Sequence, residues 1–220
     1  MNEKIKIRVE EQEDYEIVEN LTRDSFWNVY RPGCTEHFVL NRFRDNPDFI
    51  PELSLVLEIN GEILGHIMFS WSKIQCDDGN VIRTLTFGPV SIHPNYQRQG
   101  LGKKLVDFST EKAKSFCNTC ILICGNPEFY GKCGFSDALS FGIRYDDEIG
   151  ETPFFLCKEL KTGSLSGISG KYVEPSGYFV AENYPKKFEE YEQKFPYKEK
   201  LVLEIFPTKN PPIDFEINLV

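Results

Sequence analysis

Residues 90–105 read "VSIHPNYQRQGLGKKL". An apolar, strand-like run ends at a His-Pro turn, followed by an arginine, two glycines spaced by one residue, and two lysines. Beyond the glycines, Leu101, Leu105 and Phe108 recur at i, i+4 and i+7, with Val106, Ala113 and Phe116 widening the stripe. That spacing predicts a helix of about four turns that begins at the glycines. A strand, a glycine loop and a helix start together make a cradle for a phosphate. Gly100 and Gly102 keep side chains away from an approaching anion, and the first N–H groups of the helix carry partial positive charge.

Spacing separates three phosphate-binding readings. A P-loop needs a glycine where Gln97 stands and a serine or threonine where Lys104 stands, so it fails twice. A dinucleotide fingerprint needs a third glycine where Leu105 stands, and it should follow a first strand rather than nearly a hundred residues of chain. A pyrophosphate cradle built on "QRQGLG" fits both the glycines and the helix.

"QRQGLG" resembles the Q/R-x-x-G-x-G/A signature of the GNAT superfamily of N-acetyltransferases. The likeness extends through "GPVSIHPNYQRQGLGKKLV" to the later "GNPEFYGKCGF", in the family's order and at its usual distances, and covers residues 4–160. "GNPEFYGKCGF" looks most like predicted acetyltransferases whose substrates are largely unassigned. The resemblance implies a mixed α/β fold: a central, mostly antiparallel twisted sheet flanked by helices. It also implies acetyl-CoA as co-substrate, without a metal.

Site residues implied by the resemblance follow by position. The backbone of Val90, Ser91 and Ile92 would pair with the pantetheine arm and the acetyl carbonyl, as an added strand would. The backbone of Gln97, Arg98, Gln99, Gly100, Leu101 and Gly102, with the Arg98 and Lys103 side chains, would hold the pyrophosphate. Asn126 stands where the family often has an asparagine facing the pantetheine. Tyr130, in Y-x-x-x-G-F with Gly134 and Phe135, matches the tyrosine that protonates the departing thiolate; any tyrosine taken alone would read as a packed ring.

The chemistry implied is direct attack of a neutral primary amine on the thioester, with an N–H stabilising the oxyanion and no covalent enzyme intermediate. A lysine-like amine of pKa ~10.4 is neutral at pH 7 only about once in 2,500, a cost of roughly 4.6 kcal/mol. A proton acceptor is therefore needed, and Glu58 and His66, on the two strands of one hairpin, are candidates. The alternative from a different class is a non-catalytic acyl-CoA-binding module with the same fold. Retention of Tyr130 favours the enzyme, because a binder has no use for the acid.

Outward from this centre, "KIKIRV" alternates as a first strand, and two helices are expected, one carrying Tyr15, Val18, Leu21 and Phe26 and one across "EHFVLNRFR". Asn60-Gly61 between "LSLVLEI" and "EILGHIMFSW" is a hairpin signal. Residues 81–92 form a strand that Gly88 and Pro89 should bulge or place at an edge. "CILIC" and "PFFLCKEL" read as further strands. After residue 160 the chain becomes rich in Gly and Ser, and then offers a helix at "KKFEEYEQKFP" and a last strand at "KLVLEIF". The expected division is an acetyltransferase domain over 1–160 and an extension over 161–220 packed on, or completing, the same domain. Acceptor specificity would come from the segment between the first two helices and from the C-terminal part, where Trp27, Tyr30 and Phe38 either line an amine pocket or simply pack.

Composition bounds the partners. A net charge of −9 argues against a general nucleic-acid binder. Even so, residues 79–106 contain no acid while carrying Arg83, Arg98, Lys103 and Lys104, as a site for a small anion would. The amino terminus lacks the apolar core of a secretory signal, no stretch approaches the ~18 apolar residues of a membrane span, and seven irregularly spaced cysteines fit reduced thiols. The cytoplasm is the expected location, and a monomer or homodimer the expected assembly. The single CxxC at Cys117 and Cys120 has no second pair or nearby histidine, so buried small side chains are expected there rather than zinc.

Overall fold

The computed structural model describes residues 4–145 and 152–201. In chain order its elements are β1 (Ile5–Val9), α1 (Tyr15–Phe26), α2 (Glu36–Phe43), β2 (Leu55–Ile59), β3 (Glu62–Cys76), β4 (Val81–Ile92), α3 (Leu101–Ala113) and β5 (Cys120–Cys124). After these come α4 (Pro127–Gly131), β6 (Ser136–Asp137), β7 (Ile143–Arg144), β8 (Phe155–Glu159), β9 (Gly170–Val173), α5 (Val180–Asn183) and α6 (Pro185–Glu192). The strands form one sheet in the order β1-β2-β3-β4-β5-β8-β6, antiparallel except between β4 and β5 and between β7 and β9. Of "KLVLEIF", all but the first two residues lie outside the described residues.

Both faces of the sheet are covered, and the period of two along each strand sorts side chains between them. Leu55, Leu57, Ile67 and Phe69 pack with Leu105 and Val106 of α3. Val56 and Met68 turn to the other face, against Val18 of α1 and Leu40 and Phe43 of α2. Asn60 and Gly61 both adopt positive φ, the twist that suits a tight hairpin, and join β2 to β3. β3 is longer than the sequence pattern indicates. Its far end, Lys73–Cys76, pairs with β9, so β2 and β9 lie along the same side of one strand.

The buried face of α3 departs from the expected stripe. Leu101, Leu105, Val106 and Ala113 are buried, but Phe108 is 46% exposed, because the inward arc is centred on Gly102 and Ser109. The Ser109 hydroxyl can sit there because it donates to Leu105 O at 2.6 Å. Cys117 and Cys120 are buried free thiols at the entry to β5.

Beneath α1 and α2 lies a buried polar cluster. Arg44 contacts Glu10 at 2.6 Å and also pairs with Glu19, the Ser54 hydroxyl donates to Glu10 at 2.8 Å, and His66 Nε2 stands 3.8 Å from the same carboxylate. Burial alone would raise the Glu10 carboxyl, but His66 and Arg44 outweigh it and bring the group down to about 2. A carboxyl depressed in the folded state stabilises the fold above its unfolded pKa, and that contribution is lost as pH falls through the folded value. Acid titration followed by near-ultraviolet circular dichroism should therefore show on the order of 3 kcal/mol of stability disappearing between about pH 4.5 and 2. A Glu10→Gln variant, destabilised at neutral pH, should have a flatter profile there; an unchanged acid slope would refute the assignment to Glu10.

Candidate active site

β4 and β5 run parallel but share only the register pair Leu85–Ile121. Past that point β4 bulges at Gly88 and Pro89, where its register with β3 shifts between Ile67 and Phe69, and the two strands part. The bulge expected from Pro89 is present, and the Tyr178 hydroxyl, from the segment after β9, donates to Gly88 O at 3.2 Å.

Antiparallel pairing alternates between bonded and non-bonded residue pairs, which fixes where the end of β4 points. His93 N–H donates to Leu64 O at 2.8 Å, so Ile92 and Val90, opposite Gly65 and Ile67, are the non-bonded members. Their backbone groups face away from β3, into the gap beside β5. Ser25 Oγ and Gln97 Nε2, both at 3.0 Å, take up the Ile92 carbonyl. The Ser91 side chain is buried the other way, against α1, and donates to Thr22 Oγ1 at 3.0 Å.

The gap opens into a cavity of about 450 Å³ lined by both Val90 and Tyr130 and walled by Phe26, Tyr30, Phe87 and Phe154. Tyr130 is placed by α4, whose start is set by Pro127 and by the Asn126 side chain, which accepts from Glu128 N–H at 2.7 Å. Its ring rests among Phe129, Phe87 and Phe135, at centroid distances of 4.9, 5.8 and 5.8 Å. The close approach depends on Gly125, because a Cβ there would lie 2.3 Å from the Tyr130 ring. Burial first, and then the nearby Tyr30, push the Tyr130 phenol up, so it is protonated throughout the neutral range.

At the end of β4, residues 97–100 turn into α3. Arg98 and Gly100 both hold positive φ, and nothing lies within 4 Å of where a Gly100 Cβ would point, so this side of the loop is open. The first N–H groups of α3 are those left without helical partners. The Gln97 amide is spent on Ile92 O, and Gln99 Nε2 donates to Asn95 O at 3.1 Å, so these side chains are engaged within the loop and it is their backbones, as expected, that are left for a ligand. The Leu101 side chain belongs to the core, and Lys103 pairs with Asp107 at 2.5 Å. Arg83 takes no part, for it lies toward the opposite end of β4 with its guanidinium 3.5 Å from the Trp71 ring centroid.

The candidate proton acceptors fare differently. Glu58 is held by Arg8 at 2.6 Å on the β1–β2 edge, and His66 is buried against Ser54 and Glu10; neither lines the cavity. Of the three aromatic residues after α1, Tyr30 alone reaches the cavity. Trp27 stacks under Arg23, and Phe38 is buried against Phe188 and Tyr191. Phe26 and Phe154 carry no motif, and only the folded chain brings them to Tyr130. Among the described residues no group of three or more His, Cys, Asp or Glu side chains could hold a metal, and no helix is long and apolar enough to cross a membrane.

Residues 51–137 match the model of the acetyltransferase (GNAT) domain. The uncharacterized N-acetyltransferase YhbS of Escherichia coli is 24% identical over 110 residues, which is 50% of this chain and 64% of that protein. YjhQ of the same organism is 27% identical over 86 residues, 39% of this chain and 46% of the relative. The matched segment thus spans less than two thirds of these relatives' length. The crystal structure of E. coli YhbS in complex with CoA superposes with a TM-score of 0.70 at 22% identity, covering 81% of this chain and 93% of that one. A GNAT family acetyltransferase from Brucella melitensis in complex with acetyl-CoA gives 0.64 at 22% identity, covering 80% and 98%. The fold of this chain is the one they share.

Proposed function

Because residues 51–137 carry a GNAT acetyltransferase domain on the GNAT fold, we propose that the chain transfers an acetyl group from acetyl-CoA to a primary amine on a small molecule or peptide. The observation that carries this reading is the gap beside Val90 and Ile92, which opens into a cavity that the buried Tyr130 also lines. An extended ligand with alternating amide donors and acceptors fits a strand edge of this kind, and the open side of Gly100 beside the α3 N-terminus fits a diphosphate.

Acetyl-CoA supplies, when bound, an acetyl group activated as a thioester. The Val90 backbone and the Ile92 N–H would orient the pantetheine arm, the Ile92 carbonyl being taken by Ser25 and Gln97, and a β4 N–H would stabilise negative charge on the carbonyl oxygen. The backbone from Gln97 to Gly102, with Arg98, would hold the diphosphate; Lys103 would have to leave Asp107 to join it. Asn126 would act chiefly by setting the α4 helix start. Tyr130 would give its proton to the departing sulfur and regain one from the acylated nitrogen. The aromatic walls would exclude water from the thioester. Seven free thiols support a reducing compartment, the basis for placing the protein in the cytoplasm.

The test is acetyl-CoA binding by calorimetry together with acetyl-CoA-dependent thiol release over a panel of amines, with the products identified by mass. Saturable binding and release with at least one amine are expected. Binding without release from any amine would favour the non-catalytic module, and no binding at all would overturn both readings.

A further inference from the structure

A second cavity, of about 230 Å³, adjoins the first and shares Phe26, Phe87, Gly88, Pro89 and Cys124 with it. Three carboxylates line it: Glu36 at the start of α2, and Glu174 and Glu182 from the segment after β8. Two are committed elsewhere. Glu36 accepts from Thr35 N–H at 2.8 Å, and Glu182 pairs with Arg31 at 3.3 Å. Glu174, which directly follows β9, is half-buried and accepts from the Tyr145 hydroxyl at 3.4 Å. Cys124 borders both cavities, so the cavity that Glu174 lines runs on into the reaction cavity.

On the reading proposed above, we infer that Glu174 is the general base: the acceptor enters through the second cavity, and Glu174 takes the proton from its ammonium group. The amine nitrogen then sits at the junction by Gly88 and Cys124, facing the thioester held along Val90. The steps balance. The ammonium gives one proton to Glu174; the neutral nitrogen forms the C–N bond as the C–S bond breaks; Tyr130 protonates the sulfur and is reprotonated from the nitrogen. Glu174 finally releases its proton to solvent. The confined aromatic walls, with Tyr172 and Tyr178 beside the carboxylate, fit a small primary amine with an apolar body better than a polycation.

Burial raises the Glu174 carboxyl more than the Tyr145 hydroxyl lowers it, and no cation is paired with it among the described residues. The other titratable or charged groups lining the cavities that Glu174 borders are Cys124, Tyr172, Tyr178, Glu36, Glu182 and Arg31 on one side and Asp48, Lys73 and Arg83 on the other, with Tyr145 bonded to it. The three tyrosines are all pushed up by burial, which leaves carboxylates to shape the acid side of a rate profile.

The experiment is the pH profile of kcat/KM for thiol release, with an amine that the native protein accepts, compared with Glu174→Gln and Glu174→Asp. Acetyl-CoA binding of each variant reports that it is folded. Glu174→Gln should bind acetyl-CoA normally and lose 10²–10⁴-fold in kcat/KM, the usual contribution of a general base. Its remaining rate should rise with unit slope toward the pKa of the amine itself, while Glu174→Asp should keep an acid limb at reduced rate. A Glu174→Gln variant with native rate and native profile would overturn the assignment and leave the acetyltransferase reading standing. Absence of release by the native protein from every amine would overturn both.

Discussion

Tyr130→Phe is expected to bind acetyl-CoA as the native protein does and to release thiol 10²–10⁴-fold more slowly, the range over which a positioned acid contributes. Only an oxygen is removed. The ring keeps its place among Phe87, Phe129 and Phe135, so neither α4 nor the cavity should change shape. Gly125→Ala probes the position of the same ring without touching its chemistry. The new methyl would fall 2.3 Å from Cε2 and 2.7 Å from Cδ2 of Tyr130, and the backbone cannot draw back, because Gly125 N–H donates to Phe154 O at 2.8 Å. The ring must leave, so the loss of turnover should match or exceed that of Tyr130→Phe and be joined by a raised KM for acetyl-CoA. Native turnover in Tyr130→Phe would remove the acid role. Native turnover in Gly125→Ala alone would mean that the ring has more room than its contacts describe.

Glu192→Ala should cost 3–5 kcal/mol of stability, read as a shift in the midpoint of urea unfolding. Glu192, on α6, reaches the Arg23 guanidinium at 2.5 Å and His37 Nε2 at 2.8 Å, and these two partners are 3% and 0% exposed. Removing the carboxylate leaves the Arg23 charge buried beside the Trp27 and Phe195 rings. A domain of this size has about 5–15 kcal/mol in all, so the loss is a large share. Arg23→Met combined with Glu192→Leu should recover most of it, because replacing both partners leaves no stranded charge. A loss below about 1 kcal/mol in the single variant would show that water reaches Arg23 once α6 loosens.

Short-range signals were the legible ones. Asn60-Gly61 demanded positive φ at two adjacent positions and makes the β2–β3 turn; Pro89 foretold the β4 bulge; and the glycines of "QRQGLG" stand at the start of α3. Phe108 misled, because its hydrophobicity implied burial, whereas the centre of the buried arc is held by a glycine and a serine bonded to its own helix. Glu58 and His66 looked available only because their partners, Arg8 and Glu10, are distant in sequence or on another strand. Val90 and Tyr130 could be picked out by their place in a motif, but Phe26, Phe154 and Glu174 could not. They meet the cavity through tertiary packing, for which a single chain carries no local mark.

The pairing of β3 with both β2 and β9 bears on how the chain is made as well as on how it stands. Lys73–Cys76 emerge from the ribosome with β2 already present, yet their neighbours on that side, Gly170–Val173, follow on the order of a hundred residues later. At ~5–20 residues per second, this stretch of backbone waits on the order of 5–20 s with its hydrogen-bonding groups unclaimed, open to water, to a chaperone or to another nascent chain. This late segment therefore closes the sheet against wrong partners, and the chain that directly follows it brings Glu174 and Tyr178 to the bulge of β4. A molecule that has finished closing its edge has, in the same step, finished its cavity.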